Sequence, residues 1–212
     1  MLTVYLFPKS RSTRITWMLE ELKQDYQCHL VDFLSGANKS PEFLSVNPAG
    51  KVPALKDGDL VLTESGAIVT YLGDKFPEAG LVPPTSQLRE RGLYTQWCFF
   101  ALTELEQPLW TMGKHKFALP AEHRVPDIQP TAAWEFQVAV ELLSKGLGDK
   151  DYILGDAFSA ADILLGHTLF WGLAFKQPVQ QPNLIGYIDR LKARPALAQA
   201  WARESGGSAS PA

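Results

Sequence analysis

Three short segments in the first third of the chain carry residues that can do chemistry. The first segment, residues 8–14, contains two serines, Ser10 and Ser12. A hydroxyl group at the point where a strand turns into a helix lies beside helix N–H groups and the positive end of the helix dipole, so it can help to hold an anion. A simple helix cap formed by Ser10 or Ser12 explains the same residues, and both interpretations stay open.

The second segment is the run Lys51-Val52-Pro53-Ala54. A proline at the start of a strand removes one N–H donor from the sheet and is typical of an edge or a bend. If this edge is open, the backbone of Val52 can pair with an extended peptide ligand. The alternative is an ordinary connection from a loop into a strand.

The third segment, Glu64-Ser65-Gly66, lies at the start of a predicted helix. Ser65 is a natural N-cap residue, and the first-turn N–H groups that follow it form a site for an anion. The carboxylate of Glu64 can pair with an ammonium group. Helix capping without any ligand is the simpler alternative for both residues.

Other catalytic patterns are absent from the sequence. It contains no G-x-G-x-x-G, P-loop, G-x-S-x-G or C-x-x-C motif. The histidines and cysteines also lack the spacing of metal ligands; they are His29, His115, His123, His167, Cys28 and Cys98. We therefore predict no metal site and no two-thiol redox site.

The hydrophobic pattern predicts the elements that position the three segments. Apolar residues alternate from Leu2 to Leu6, as in a β-strand, and Pro8 ends that strand. Asp57-Gly58 is expected to form the type I′ turn of a later hairpin. The predicted order over residues 1–77 is β-α-β-α-β-β-α, and after the first strand it comprises a helix around residues 15–22, a strand over 28–33, a short helix over 41–45, hairpin strands over 52–56 and 59–62, and a helix that ends before Pro77.

The second half of the chain shows only helical patterns. Residues 78–86 are rich in proline and are predicted to form a linker. The helices of the domain predicted over 87–204 cover residues 87–112 with a bend near Pro108, 131–145, 159–175 and 184–192. Ser159 and Asp162 have the spacing of a capping box at the start of the third of these helices. Residues 205–212 are expected to form a disordered tail.

Composition excludes several classes of partner. The chain has 212 residues, is 46% hydrophobic and carries a net charge of −3, which is typical of a globular protein without electrostatic attraction to nucleic acid or to an anionic membrane. Two cysteines make no disulfide framework and suit a reducing compartment. The most apolar window, residues 163–175, is too short to span a bilayer, and no leader sequence is visible. We expect a soluble cytoplasmic protein.

Taken together, the three segments and the helical half resemble the cytosolic glutathione transferases. The resemblance covers residues 2–201, and its most specific pieces are residues 47–55 and 64–72. The corner around Ser10 is similar to the serine-type bacterial, fungal and theta-like branches. The resemblance implies an α/β thioredoxin-like domain followed by an all-α domain, glutathione as co-substrate, and a homodimer.

The resemblance also implies roles for individual residues. Ser10 matches the serine that donates a hydrogen bond to the glutathione sulfur, and Ser12 is close enough to substitute for it. Lys51 and Val52 match residues that contact the tripeptide, Pro53 matches a cis-proline, and Glu64 and Ser65 match the pair that binds the γ-glutamyl end. Ser159 and Asp162 match a structural capping box.

A small hydrophobic electrophile is the expected second substrate. The aromatic residues proposed to line its pocket, for which core packing is the alternative, are Phe7, Trp97, Phe100 and Trp110. The predicted reaction is conjugation of the glutathione thiolate to this electrophile, as in detoxification. Two alternatives are a glutathione-dependent peroxidase of organic hydroperoxides and a non-enzymatic binding or assembly module. No cysteine lies in the Ser10 corner, which argues against the thiol-oxidoreductase branches.

Overall fold

The computed structural model describes residues 1–206, and residues 207–212 lie outside the described residues. The described chain divides into two compact units, residues 1–80 with 192–206, and residues 81–191. The sequence placed residues 87–204 in one helical domain, whereas these contacts group residues 192–204 with the first unit. Most of the predicted tail, 205–212, lies outside the described residues.

The first unit is built on a four-stranded mixed sheet. Its order along the sheet is β2-β1-β3-β4, with β1 parallel to β2 and antiparallel to β3, and β3 antiparallel to β4. The predicted β-α-β-α-β-β-α order is confirmed. The elements are β1 (Leu2–Leu6), α1 (Thr13–Glu21), β2 (Tyr26–Leu30), α2 (Pro41–Val46), β3 (Ala54–Asp57), β4 (Leu60–Thr63) and α3 (Ser65–Lys75).

The core of this unit follows the predicted periodicities. In β1, Leu2, Val4 and Leu6 are buried while the residues between them are half-buried. In α1, the apolar residues three and four positions apart lie on one face and are fully buried. The strand and the helix that flank the Ser10 corner are therefore held rigidly by the core.

The hairpin turn differs by one residue from the prediction. Asp57 pairs with Leu60, so Gly58 and Asp59 form the two-residue loop, and the prediction of Asp57-Gly58 is wrong. Gly58 has a φ of 62° while Asp59 has a negative φ, the signs of a type II′ rather than a type I′ turn. Asp57 stays in the strand because its carboxylate accepts hydrogen bonds from Lys75 and, at 2.6 Å, from the Tyr71 hydroxyl of α3. The Lys75 and Tyr71 donors lower the pKa of Asp57.

The second unit contains helices and short helical turns. The first two helices are joined by a π-helical stretch, Ala101–Leu105, whereas the sequence predicted the bend near Pro108. Pro108 has no N–H to donate four residues back, so it fits the first turn of a new helix and the irregular stretch lies before it. The helices are α4 (Leu88–Phe100), α5 (Glu106–Gly113), α6 (Ile128–Leu147), α7 (Ala160–Ala174) and α8 (Pro182–Lys192).

The predicted capping box at the start of α7 is present. Asp162 is fully buried, and its carboxylate accepts hydrogen bonds from the N–H and the hydroxyl of Ser159, at 2.9 and 2.7 Å. It also accepts from the N–H of Ile153 at 2.8 Å and from the hydroxyl of Tyr187 at 2.7 Å. Four donors on one buried carboxylate tie the start of α7 to the preceding loop and to α8.

A final helix, α9 (Pro195–Glu204), was not predicted as a separate element and packs on α1 in the first unit. Arg194, just before it, makes two hydrogen bonds with the carboxylate of Glu21, at 2.5 and 2.7 Å. Pro195 at the first helical position was its local signal in the sequence. Across residues 1–206, no helix is long and apolar enough to cross a membrane.

Candidate functional site

The register of the sheet brings the three chemically interesting segments to one end. Tyr5 of β1 pairs with Ala54 of β3, and Ala54 pairs with Thr63 of β4. Because β3 runs antiparallel to both neighbours, the last residues of β1 and β4 and the first residue of β3 lie at the same end of the strands. The corner after β1, the turn before β3 and the corner after β4 are therefore neighbours in space.

In the corner after β1, the structure separates the roles of the two serines. Ser10 is half-buried, and its hydroxyl lies 2.7 Å from the carbonyl oxygen of Phe7 and 2.9 Å from the Oγ of Ser12. Ser12 is fully buried, and its Oγ accepts the N–H of Phe7 at 3.3 Å. Ser12 therefore closes the turn from inside, and Ser10 is the serine that a ligand can reach.

Neither serine caps α1 in the ordinary way. Ser12 is the N-cap residue, but its side chain accepts no hydrogen bond from the first turn of the helix. The N–H groups of Thr13, Arg14 and Ile15 donate instead to backbone carbonyls three residues back, at 2.9–3.2 Å. The first-turn N–H groups predicted to hold an anion are thus already used. What this corner offers a ligand is the Ser10 hydroxyl and the helix dipole.

The turn before β3 contains the predicted proline bend. The peptide bond between Val52 and Pro53 is cis, as the resemblance implies. Asn47 is buried and fixes this loop, because its Nδ2 donates to the carbonyl of Lys51 at 2.7 Å. Val52 lies just outside the strand, and within residues 1–206 its N–H and carbonyl make no hydrogen bond. The Lys51 side chain is exposed.

The corner after β4 has an unusual backbone. Glu64, not Ser65 as predicted, is the N-cap of α3; it has a φ of 66°, and its exposed side chain caps no N–H group. A positive φ is strained in a residue with a Cβ atom. Because the first N–H groups of a helix have no acceptor within the helix, the start of α3 is open to an external acceptor.

A buried arginine connects the two corners. The Nη1 of Arg14 donates to the Oγ of Ser65 at 2.9 Å, and both side chains are buried. Arg14 lies one helical turn after Ser10, so this hydrogen bond fixes α1 against the start of α3. Sequence reasoning included Arg14 in the first segment without assigning it a role, because nothing local indicates that its side chain points into the core.

The four aromatic residues predicted to line the pocket are divided between the two units. Phe7 belongs to the first unit, where its ring is 5.4 Å from that of Phe33 in an edge-on arrangement. In the second unit Trp97 and Phe100 stack edge-on at 5.1 Å, and a Cβ on Gly146 would lie 2.1 Å from the Trp97 ring. The Trp97 ring therefore packs α4 on α6. Trp110 lies on α5, beside Gly113.

A second aromatic cluster lies in the same unit, and of its three members only Phe117 was not among the aromatic residues that the sequence offered for an apolar pocket. Phe175 lies 6.4 Å from Phe117 and 5.6 Å from Trp171, both edge-on. Phe117 is 57% exposed. This cluster offers an apolar surface that helical periodicity alone does not reveal, because Phe117 lies in an irregular stretch after α5.

The two thiols lie outside the three segments. Cys28 is exposed on β2, and Cys98 is buried in α4, where burial raises the pKa of its thiol to about 12. In the part of the chain that the structure describes, no group of three His, Cys, Asp or Glu side chains is arranged to hold a metal ion.

The fold and the site together define a class of protein. A four-stranded mixed sheet in β-α-β-α-β-β-α order, with a cis-proline before β3 and a helical unit after it, is a thioredoxin-like domain joined to an all-helical domain. Residues 1–74 match the family model of the glutathione S-transferase N-terminal domain, and residues 109–195 match that of the C-terminal domain. This chain belongs to the glutathione S-transferase family.

Individual relatives agree with this assignment. The chain is 31% identical over 212 residues to Disulfide-bond oxidoreductase YfcG of Escherichia coli (strain K12), with 94% of each chain covered. It is similar to the crystal structure of a glutathione transferase from Methylococcus capsulatus, with a TM-score of 0.85, 31% identity and coverage of 97% of this chain and 99% of that chain. A glutathione transferase from Burkholderia graminis, solved with two glutathione molecules per subunit, gives a TM-score of 0.82 at 29% identity, covering 95% of this chain and 87% of that chain.

Proposed function

We propose that this protein conjugates the thiolate of glutathione to a small hydrophobic electrophile, with Ser10 as the residue that stabilises the thiolate. The observation that carries the proposal is the half-buried Ser10 hydroxyl at the end of the sheet where the turn at Val52 and the open start of α3 also lie. A tripeptide thiol needs a hydroxyl for its sulfur, a backbone partner for its centre and an anion site for its carboxylate.

Each part of glutathione has a matching group in this proposal. The backbone of Val52 pairs with the cysteinyl residue of the ligand, since its N–H and carbonyl are unused within residues 1–206. The α-carboxylate of the γ-glutamyl residue binds at the start of α3 beside Ser65, where helix N–H groups and the dipole favour an anion. Glu64 pairs with the ammonium group, and Lys51 supplies a positive charge for the remaining carboxylate.

The energetic requirement is modest. A free thiol has a pKa of about 8.5. Lowering this pKa by about 2 units requires about 2.7 kcal/mol of preferential stabilisation of the thiolate. A hydrogen bond to a charged group contributes about 1.5–3 kcal/mol, and a helix N-terminus adds about 0.3–1 kcal/mol. The thiolate then forms a carbon–sulfur bond with the electrophile, which releases a leaving group or takes up a proton.

The test is Ser10→Ala, assayed for turnover and for the ultraviolet absorbance of bound thiolate against pH. Without the hydroxyl, turnover should fall about tenfold or more, because about 1.5–3 kcal/mol of thiolate stabilisation is lost. Glutathione affinity should stay nearly the same, since the anchors at Val52 and α3 are intact. Ser159→Ala removes a buried hydroxyl in the other unit and serves as the control. An unchanged rate for Ser10→Ala would contradict the role assigned to Ser10.

The similarity to Disulfide-bond oxidoreductase YfcG supports a second candidate, glutathione-dependent reduction of a disulfide. Here two glutathione thiols are oxidised to glutathione disulfide while the substrate disulfide is reduced to two thiols. The protein itself supplies no thiol at the corner, since Cys28 lies on β2 and Cys98 is buried in the helical unit. The peroxidase alternative consumes the same two thiols but yields an alcohol and water. Product analysis with a conjugating electrophile, a disulfide and a hydroperoxide distinguishes the three reactions.

We also propose, from family membership, that the protein acts as a cytoplasmic homodimer. Sedimentation equilibrium of the purified chain tests the dimer. Failure to bind glutathione in a calorimetric titration would instead favour the non-enzymatic binding module.

A further inference from the structure

A buried carboxylate from the last helix reaches the corner that carries Ser10. Glu204, the final residue of α9, is 6% exposed. Its Oε2 accepts the N–H of Lys9 at 3.1 Å and the hydroxyl of Thr13 at 3.0 Å, and its Oε1 accepts the hydroxyl of Thr16 at 2.8 Å. These three donors lie on both sides of Ser10, so one side chain, 195 positions along the chain from Lys9, holds the loop before Ser10 and the first turn after it.

The loop needs such a partner because its backbone is strained. Lys9 has a φ of 58°, which is uncommon for a residue with a Cβ atom. Strained residues persist where their surroundings fix them, and they gather at functional sites. The Lys9 N–H donates to Glu204, and the next residue is Ser10, whose Oγ lies 2.7 Å from the carbonyl oxygen of Phe7. The position of the Ser10 Oγ therefore depends on a turn that Glu204 secures.

The segment that contains α9 has other polar contacts with the first unit besides this carboxylate. Arg194 binds Glu21, and Arg203 approaches Glu20 at 3.3 Å and lies over the ring of Tyr26 at 4.8 Å. Both arginines hold the last turn of α1, away from the corner. Burying a carboxylate is costly, and burial raises the pKa of Glu204 while its hydrogen bonds from Thr16, Lys9 and Thr13 oppose that rise. Because the arginines already hold this segment on α1, docking of α9 alone does not explain the free-energy cost of a buried carboxylate at the corner.

We propose that Glu204 is a positioning residue: through Lys9 and Thr13 it holds the turn that fixes the position of the Ser10 Oγ, from which the hydroxyl can donate to the glutathione sulfur. This role rests on the proposed function of Ser10. It makes the extreme C-terminal helix part of the thiol-activating site, although Glu204 itself touches no substrate.

The experiment compares Glu204→Leu, which fills the same space but accepts no hydrogen bond, with Glu204→Gln, which keeps an acceptor for the Lys9 N–H. The full-length proteins are titrated for the pKa of the bound glutathione thiol, for glutathione affinity and for turnover. Misplacement of a catalytic group by about 1 Å can cost about a hundredfold in rate, and we expect Glu204→Leu to lose about tenfold in turnover. Its bound thiol pKa should move toward the free value, its glutathione affinity should change little, and Glu204→Gln should lie nearer the wild type.

Arg194→Gln is the matched control. It removes an ion pair between the same segment and α1 but does not touch the corner, so it should lower thermal stability and leave the thiol pKa unchanged. A folded Glu204→Leu variant with the wild-type thiol pKa and turnover would overturn the positioning role and leave the function of Ser10 standing. An unshifted thiol in the wild-type complex would instead overturn both.

Should Glu204→Leu fail to fold, Glu204→Asp takes its place. Its carboxylate is one methylene shorter and cannot keep all three donors at their present distances. It must move the thiol pKa in the same direction, and a wild-type value would overturn the proposal.

Discussion

Two helices of the molecule begin with one serine and one acidic residue and use them in opposite ways. At the start of α7, Ser159 is followed three positions later by Asp162, whose buried carboxylate reaches back to Ser159 and also binds Ile153 and Tyr187. At the start of α3, Glu64 comes directly before Ser65, has a φ of 66°, and caps nothing. The start of α7 is capped by its own side chains and is called the closed start. The start of α3 has no side-chain cap and is called the open start.

The order of the two residues explains the difference. An acid at the third helical position can reach the N-cap N–H, which is the capping-box geometry. Glu64, at the N-cap position with a positive φ, makes no side-chain cap hydrogen bond, so the first N–H groups of α3 have no acceptor within the helix. The carboxylate of Asp162 caps the start of α7, whereas the start of α3 has a strained N-cap residue and no side-chain cap. In the proposed function, the N–H groups at the start of α3 bind the ligand. Each of the following substitutions tests one side of this contrast.

The largest expected effect on stability comes from a substitution at the start of α7. Asp162→Ala leaves the donors of Ser159, Ile153 and Tyr187 without their acceptor in a buried site, and should cost about 3–5 kcal/mol of the free energy of unfolding. Urea denaturation followed by circular dichroism measures this loss.

The companion measurement for Asp162→Ala is glutathione affinity per folded molecule, which should match the wild type. A loss below about 1 kcal/mol, the size of a single ordinary hydrogen bond, would show that the four hydrogen bonds do not act together.

The same contrast shows what the sequence can predict. The capping box of α7 is local, with all its spacing inside four residues, and it was predicted correctly. The alternation in β1 and the helical face of α1 are local as well. The turn at Gly58-Asp59 was predicted one residue early because Asp57 is held in β3 by Tyr71 and Lys75, which lie 14 and 18 positions away.

Contacts of long sequence separation were beyond sequence reasoning. The hydrogen bond from Arg14 to Ser65 joins residues 51 positions apart, and that from Lys9 to Glu204 joins residues 195 apart. An arginine in an amphipathic helix normally faces water, so its burial at 0% exposure has no local sign. The three segments of the candidate site could be proposed from their residue types, but the groups that fix their geometry could not.

A smaller effect is expected on the open side from Ser65→Ala. The variant removes the acceptor for Nη1 of Arg14, and a hydrogen bond to a charged group contributes about 1.5–3 kcal/mol, so stability should fall by about that amount. Under the proposed function glutathione affinity should fall too, because Ser65 lies where the γ-glutamyl carboxylate is proposed to bind. Chemical denaturation and calorimetric titration of one preparation measure the stability and the affinity.

Ser159→Ala is the matched control at the start of α7. It should cost about 1 kcal/mol of stability and leave glutathione affinity unchanged. Equal affinities for both variants would remove Ser65 from the site.

The smallest expected effect is a gain in stability, from a substitution at Glu64, and it tests the contrast between the two helix starts most directly. Strain at a positive φ costs about 1–3 kcal/mol, and glycine relieves it at an entropic cost of about 0.5–1 kcal/mol, so Glu64→Gly should stabilise the protein by about 1 kcal/mol. Under the proposed function the same variant should bind glutathione more weakly, because it lacks the carboxylate proposed to pair with the ammonium group. Glu64→Gln separates the two effects, since it keeps the Cβ atom and the strain but removes the charge, and should weaken binding without raising stability. Opposite changes in stability and affinity in Glu64→Gly would show that the carboxylate at this position contributes to ligand binding and not to the stability of the fold. If Glu64→Gly is instead less stable than the wild type, the backbone at this corner is not strained, and the open start of α3 must be explained by its missing cap alone.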